Sequence, residues 1–246
     1  MATVQEHYER VLAGFYTWLY GGHAAGIELN TEFFNRHGIT PAGSGIAVDL
    51  GAGSGFQSIP LAAAGFAVTA IDLNRQLLQE ITLKDPAHRI RTVQADLVDF
   101  DRYVAGEIEL FTCMTDTILH LESADKVTAL VKKVYNSLEV NGSFIITFRD
   151  LTQEMTGLDR FLPVRSDEQT IFTCFLEYQP QTVNVHDIIY HNDGNGWQLY
   201  KSCYPKLRLS PEWISACLTA AGLTITESGN NNGLITIISQ KRSNSM

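Results

Sequence analysis

The sequence predicts an α/β fold: a doubly wound, seven-stranded, mostly parallel sheet with a C-terminal antiparallel hairpin, plus a small inserted antiparallel sheet. Three observations predict it. Apolar strand-like runs alternate with helical runs between residues 46 and 149, and helical crossovers join strands in parallel. A glycine-rich turn, Gly51-Ala52-Gly53-Ser54-Gly55, joins the first strand to the first helix of that alternation. Past residue 169 the rhythm breaks into three strand-like runs with no helix among them.

Taken in order, Val4, Tyr8, Val11, Leu12, Phe15 and Leu19 recur at helical spacing over 4–20, and Gly21-Gly22 ends that helix. A second helix, about 24–37, stops at His37-Gly38. The first strand of the sheet is 46–50, and the first helix, 55–64, ends at Gly65. Pro60 inside that helix is expected to kink or loosen it. A second strand, 66–71, leads to Asp72, and Asn74 caps a helix over 75–82. The third strand, about 89–94, runs into Ala95-Asp96; the fourth, 108–113, is apolar apart from Glu109 and Thr112. Ser123 caps a helix over about 124–138, and 143–149 is the fifth strand. Residues 151–169 read as a polar loop. The runs 170–179, 182–191 and 197–208 follow, the last two joined by the hairpin signal Asp193-Gly194-Asn195-Gly196. Pro211 at a first helical position opens a helix over 211–221, and 223–229 and 233–240 close the chain as a hairpin.

Composition narrows the function. The 246 residues carry a net charge of −9, and no run of lysine or arginine exceeds two, which argues against nucleic-acid partners. Cys113, Cys174, Cys203 and Cys217 form no C-x-x-C pair and lie near no histidine at ligand spacing, so neither a disulfide framework nor a metal site is expected. The polar start, Met1 to Arg10, is unlike a signal peptide, and no apolar stretch approaches the ~20 residues of a membrane span. A cytoplasmic, reduced protein with no membrane partner is the expectation.

The segment Ala47-Val48-Asp49-Leu50-Gly51-Ala52-Gly53-Ser54-Gly55 carries the chemistry. Glycines allow a tight strand-to-helix turn and let a ligand approach the backbone. Asp72, about twenty residues past the first glycine, ends the second strand and can accept hydrogen bonds from both ribose hydroxyls of an adenosine. The spacing is G-x-G-x-G rather than G-x-G-x-x-G, and Asp49 precedes the first glycine by two residues. An acid there repels a pyrophosphate and suits a cationic ligand such as S-adenosylmethionine, whose sulfonium and ammonium come without phosphate.

With these residues the chain resembles the class I S-adenosylmethionine-dependent methyltransferases of the small-molecule type, over residues ~20–150 and 210–240. The resemblance implies an N-terminal helical lid (1–40), a cofactor-binding domain (41–150 and 210–246) and an inserted acceptor region (151–209). It implies that Asp96 meets the adenine amino group, that the Leu97 N–H meets a ring nitrogen, and that Leu73 packs on the adenine face. Backbone at Met114 and Thr115 would hold the methionine part, Tyr20 would fold over the donor and Tyr16 would meet the acceptor, or these tyrosines would simply pack the first helix on the domain. Ligands of open α/β sheets lie beyond the C-terminal strand edge, so Asp116, His120 and Arg149 are further candidates. Asp116 would hold an acceptor amine or hydroxyl, or cap a turn. His120 would act as general base, its unperturbed pKa of about 6.5 suiting that task, or be a structural histidine. Arg149 would bind an acceptor carboxylate, or pair with a nearby acid. Phe172, Phe175, Tyr178, Tyr190, Trp197, Tyr200 and Tyr204 of the insertion would line an acceptor cavity or form a homodimer interface. The expected activity is methyl transfer to a small molecule. Transfer of another group from the same donor, or a non-catalytic regulatory role, is the alternative.

Overall fold

The structure, a computed structural model, describes residues 1–243 apart from Pro86 and His88. The chain opens with α1 (Val4–His7), where Thr3 and Glu6 form a reciprocal capping box. A π-helical turn over Tyr8–Leu12 carries it directly into α2 (Ala13–Leu19). The expected helix over 4–20 is therefore one rod with a wide turn in its middle. After Gly21-Gly22 comes α3 (His23–Arg36).

The alternating region follows as β1 (Ile46–Leu50), α4 (Ser58–Ala63), β2 (Ala67–Asp72), α5 (Arg75–Lys84), β3 (Ile90–Gln94), β4 (Ile108–Cys113), α6 (Ala124–Ser137) and β5 (Leu138–Arg149). Pro60 does not kink α4. It is the third residue of that helix, where a backbone N–H would lack an intrahelical partner anyway. The helix closes with Phe66 N–H on the Leu61 carbonyl and Gly65 N–H on that of Ala62. Two short 3₁₀ turns, Leu97–Arg102 and Thr117–His120, follow β3 and β4.

The inserted region holds β6 (Phe161–Ser166), β7 (Thr170–Tyr178), β8 (Thr182–Asn192) and β9 (Trp197–Leu207), then come α7 (Pro211–Ala220), β10 (Leu223–Asn231) and β11 (Leu234–Lys241). The main sheet has the order β10-β11-β5-β4-β1-β2-β3, with β1, β2, β3, β4 and β5 parallel and β11 antiparallel to β5. Chain direction across the sheet reverses between β1 and β4, which puts a crevice at their C-terminal ends. Phe34, Leu61, Leu78 and Ile81 of α3, α4 and α5 pack on one face. Val127, Leu130, Val134, Ile214 and Leu218 of α6 and α7 pack on the other, against Val48, Phe111 and Ile146. Each such fully buried side chain contributes roughly 1.5–3 kcal/mol.

The expected polar loop over 151–169 is corrected in part: it contains β6, an edge strand in a four-stranded antiparallel sheet of order β6-β7-β8-β9. Its residues are mostly exposed and include Pro163, so neither burial nor a full hydrogen-bond ladder imposed a pattern on them. One face of this sheet, at Phe172 and Ile189, packs on Val11 and Leu12 of the N-terminal rod. The other face exposes a cross-strand row, Ile171, Tyr190 and Leu199. Among the described residues no helix is long and apolar enough to cross a membrane.

Candidate active site

A cavity of about 590 Å³ opens over the C-terminal ends of β1, β2 and β4. Three separated parts of the chain wall it. Met1–Gln5, Tyr8 and Tyr16 come from the N-terminal segment; Gly51, Gly53, Asp72, Leu73, Asp96, Leu97, Thr115, Thr117 and His120 come from the strand ends; Thr182, Pro205, Lys206 and Leu207 come from the inserted sheet. The N-terminal segment is tied down by Ala2, whose N–H donates to the Cys203 carbonyl of β9 at 2.9 Å.

The glycine turn is shaped by two positions. Gly51 has φ +75°, and a Cβ there would lie 2.3 Å from the Thr117 side chain. Gly53 has φ +52°, faces the Tyr16 ring, and donates its N–H to Asp72 Oδ2 at 2.8 Å. Asp72 Oδ1 accepts the Asn74 N–H at 2.7 Å. Burial pushes the Asp72 carboxyl up, against the pull of the Asn74 and Gly53 N–H groups. A carboxylate thus stands at the rim of a side-chain-free cradle.

Asp49 is placed differently from its sequence-based reading. It lies beneath the turn, buried and off the cavity wall, accepting from Ser58 Oγ at 2.6 Å and Thr112 Oγ1 at 2.8 Å. Burial outweighs those two hydroxyls and pushes its pKa up to about 6. The folded state therefore binds this proton more tightly than the unfolded chain, whose aspartates titrate near 3.9. Stability from this group is full below about pH 4 and falls as pH rises to about 6, by ~3 kcal/mol. Urea titrations between those pH values should show wild type losing that amount relative to Asp49→Asn; parallel curves would refute the assignment.

At the end of β4, Thr115 and Asp116 both take left-handed backbone, φ +58° and +66°. This costs of order 1–3 kcal/mol per non-glycine residue. Thr147 of β5 holds it: its Oγ1 accepts the Thr115 N–H at 2.7 Å and its carbonyl accepts the Asp116 N–H at 3.1 Å. The bend turns the Asp116 side chain inward onto cations. Its Oδ1 accepts the Arg149 N–H at 2.7 Å, and its Oδ2 accepts both Arg149 Nη1 at 2.7 Å and Lys206 Nζ at 2.8 Å. Burial works against the charge, but Lys206 and Arg149 outweigh it and hold this carboxyl well below the usual carboxylate range. Asp116 is a bridging anion, with its oxygens committed, and does not line the cavity.

His120 does line the cavity, with its ring parallel to Tyr204 at 5.6 Å and edge-on to Tyr8 at 6.1 Å. Its Nδ1 is buried without a partner among the described residues. Burial, then the Lys206 charge, pushes its pKa down to about 3, so the expectation of an unperturbed imidazole is corrected. The ring is neutral at pH 7 and acts as a hydrogen-bond partner rather than a proton store.

Of the remaining expected residues, Tyr16, Leu73, Asp96, Leu97 and Thr115 line the cavity with Gly51, Gly53 and Asp72. Asp96 Oδ1 accepts the Val98 N–H, leaving the carboxylate exposed. Ala52, Gly55 and Met114 pack behind the wall, and Tyr20 stands behind Tyr16, against Phe56 at 4.8 Å. Arg149 lies outside, its side chain 59% exposed and bound to Asp116. None of the seven aromatic residues singled out in the insertion lines the cavity. Tyr8, Thr182 and Lys206 were missed. Tyr8 carried a signal, the tyrosine-rich first helix; Lys206 carried none.

Residues 47–142 match the family model described as a methyltransferase domain. A glycine/sarcosine N-methyltransferase of Aphanothece halophytica is 28% identical over 123 residues, which is 48% of this chain and 45% of that protein. Among solved structures, the CcbJ methyltransferase from Streptomyces caelestis superposes with a TM-score of 0.74 at 17% identity, covering 97% of this chain and 99% of that one. The sugar N-methyltransferase KedS8 from Streptoalloteichus sp ATCC 53650 gives 0.72 at 18% identity, covering 95% and 93%. At such identity the structures speak to the fold, which is shared nearly end to end; the family match falls on the glycine turn, Asp72 and Asp96. Residues 47–142 thus match a methyltransferase domain, and the chain as a whole has the fold of S-adenosylmethionine-dependent methyltransferases.

Proposed function

We propose that the protein transfers a methyl group from S-adenosylmethionine to a nitrogen of a small-molecule acceptor. The observation that carries this is one cavity lined by both a side-chain-free cradle and a neutral imidazole, His120. Its volume of about 590 Å³ lies within the roughly 300–1,000 Å³ of small-molecule sites. The cradle fits the cofactor: Gly51 and Gly53 leave room against the backbone, and Asp72 presents a carboxylate to ribose hydroxyls. Asp96, Leu97 and Leu73 would take the adenine, and Thr115 the methionine part. The Tyr16 ring would face the sulfonium by cation–π attraction. S-adenosylmethionine supplies an electrophilic methyl on that sulfonium.

What remains for the chain is positioning. His120, uncharged, accepts an N–H of the acceptor and aims the nitrogen lone pair at the methyl, within about 3–3.5 Å and in line. Tyr8 and Tyr16, kept protonated by burial, wall the path from water. A net charge of −9 favours a small molecule over nucleic acid, the free cysteines fit a cytoplasm, and the exposed Ile171-Tyr190-Leu199 row suits a second copy. Nitrogen is favoured over oxygen because a buried imidazole this weakly basic cannot deprotonate a hydroxyl, whereas an amine bound in its neutral form already has its lone pair and sheds its extra proton to water after the methyl has arrived. Calorimetric titration with S-adenosylhomocysteine and with NAD, beside transfer of labelled methyl to a panel of amines, tests the proposal. Micromolar binding of the first ligand and labelled amine are expected; NAD binding in its place would sink it.

A further inference from the structure

We propose that Lys206 is the anion-recognising residue of the acceptor site, so that the acceptor carries a carboxylate or phosphate beside its nucleophilic nitrogen. This rests on the methyl-transfer reading above and names its substrate class. Lys206 sits on β9, opposite Val183 of β8, and its side chain is only 13% exposed. The residue lines the cavity, and its Nζ makes, among the described residues, one hydrogen bond, to Asp116 Oδ2 at 2.8 Å. An ammonium has three donors. Two are left, in a place bulk water reaches poorly, where unpaired donors on a charged group are costly.

Asp116 does not fully answer that charge. The same oxygen takes Arg149 Nη1 at 2.7 Å, so two cations share one carboxylate. Among the described residues, the groups around Lys206 add no free anion: His120 is neutral, Tyr8 and Tyr204 stay protonated, and Asp187, the buried carboxylate beyond Tyr204, faces His7 at 3.1 Å. The other carboxylates on the wall make no hydrogen bond to Lys206: Asp72 and Asp96 stand at the cofactor cradle, and Glu122 just before α6, on a wall that also carries Lys126. A cofactor whose sulfonium, ammonium and carboxylate sum to one positive charge makes the space more positive still. An anionic acceptor would complete the two free donors of Lys206 and offset that charge. The cofactor's own carboxylate is the other source of the same chemistry. Lys206 stands on the inserted sheet with Thr182, Pro205 and Leu207, a part of the wall to which the glycine turn contributes nothing, and this favours the acceptor.

The test is calorimetric titration of wild type, K206M and K206R with acetate and with inorganic phosphate, both free and saturated with S-adenosylhomocysteine. At least one anion should bind the saturated wild type, K206M should weaken it by about tenfold or more, and K206R should restore it. S-adenosylhomocysteine affinity should be alike in all three proteins. No binding of either anion to wild type, or equal binding to K206M, overturns the proposal. So does loss of S-adenosylhomocysteine affinity in K206M, which would give the ammonium to the cofactor's carboxylate. A wild type that ignores S-adenosylhomocysteine sinks the methyltransferase reading, while the titrations of free protein still test Lys206. K206Q, which keeps a donor to Asp116, replaces K206M if that variant does not fold.

Discussion

Asp72→Ala is expected to weaken S-adenosylhomocysteine binding by roughly 100-fold or more while the protein stays folded. Two hydrogen bonds from ribose to an ionised acceptor are worth about 1.5–3 kcal/mol each, and the substitution removes both. It also leaves the N–H groups of Gly53 and Asn74 without their acceptor, at the bend that forms the cradle. The second effect separates from the first in Asp72→Asn, which keeps one oxygen for the loop but no charge for the ribose. Calorimetry on both variants, with thermal melts to confirm folding, checks it. Affinity within a few-fold of wild type in Asp72→Ala would mean that the nucleoside lies elsewhere.

Asp116→Ala is expected to show first in stability. It removes the one carboxylate shared by Lys206 and Arg149 and strands the buried Lys206 ammonium. Breaking a buried pair from one side costs about 3–5 kcal/mol, whereas Arg149→Ala, at an exposed side chain, should cost no more than about 1 kcal/mol. Urea unfolding of the two variants at pH 7 gives the comparison directly; equal losses would place the burden on Arg149. The sign with pH is opposite to that of Asp49. A carboxyl lowered in the folded state contributes fully above the unfolded value of about 3.9 and is lost as pH falls through its folded value. Acid below pH 4 therefore works through Asp116, and the window from about 4 to 6 through Asp49.

The readable part of this molecule was the part whose partners are close in sequence. Asp49, Gly51, Gly53 and Asp72 meet within one strand-turn-helix-strand unit, so spacing alone brought them to one edge, though not which side of the turn Asp49 would occupy. The rod over 4–20 and the hairpin at 193–196 were legible for the same reason. Asp116 and Lys206 are ninety residues apart. Their pairing depends on how the inserted sheet docks, which no local pattern encodes. His120 looked like an ordinary imidazole because Lys206, Tyr8 and Tyr204, which depress and enclose it, all arrive from elsewhere. β6 escaped because an exposed edge strand buries too little to force alternation.

The inserted sheet leaves the main fold after β5 and returns to it at α7. It contributes Thr182, Pro205, Lys206 and Leu207 to the cavity and nothing to the glycine turn. Inheritance can thus treat the two walls separately. On the proposed reading, substitutions along β8 and β9 would retune which acceptor is taken while the glycine turn is conserved, and a duplicated copy would be free to drift toward a new substrate without first losing its cofactor. Asp116, reaching across to Lys206, is the point where that independence ends.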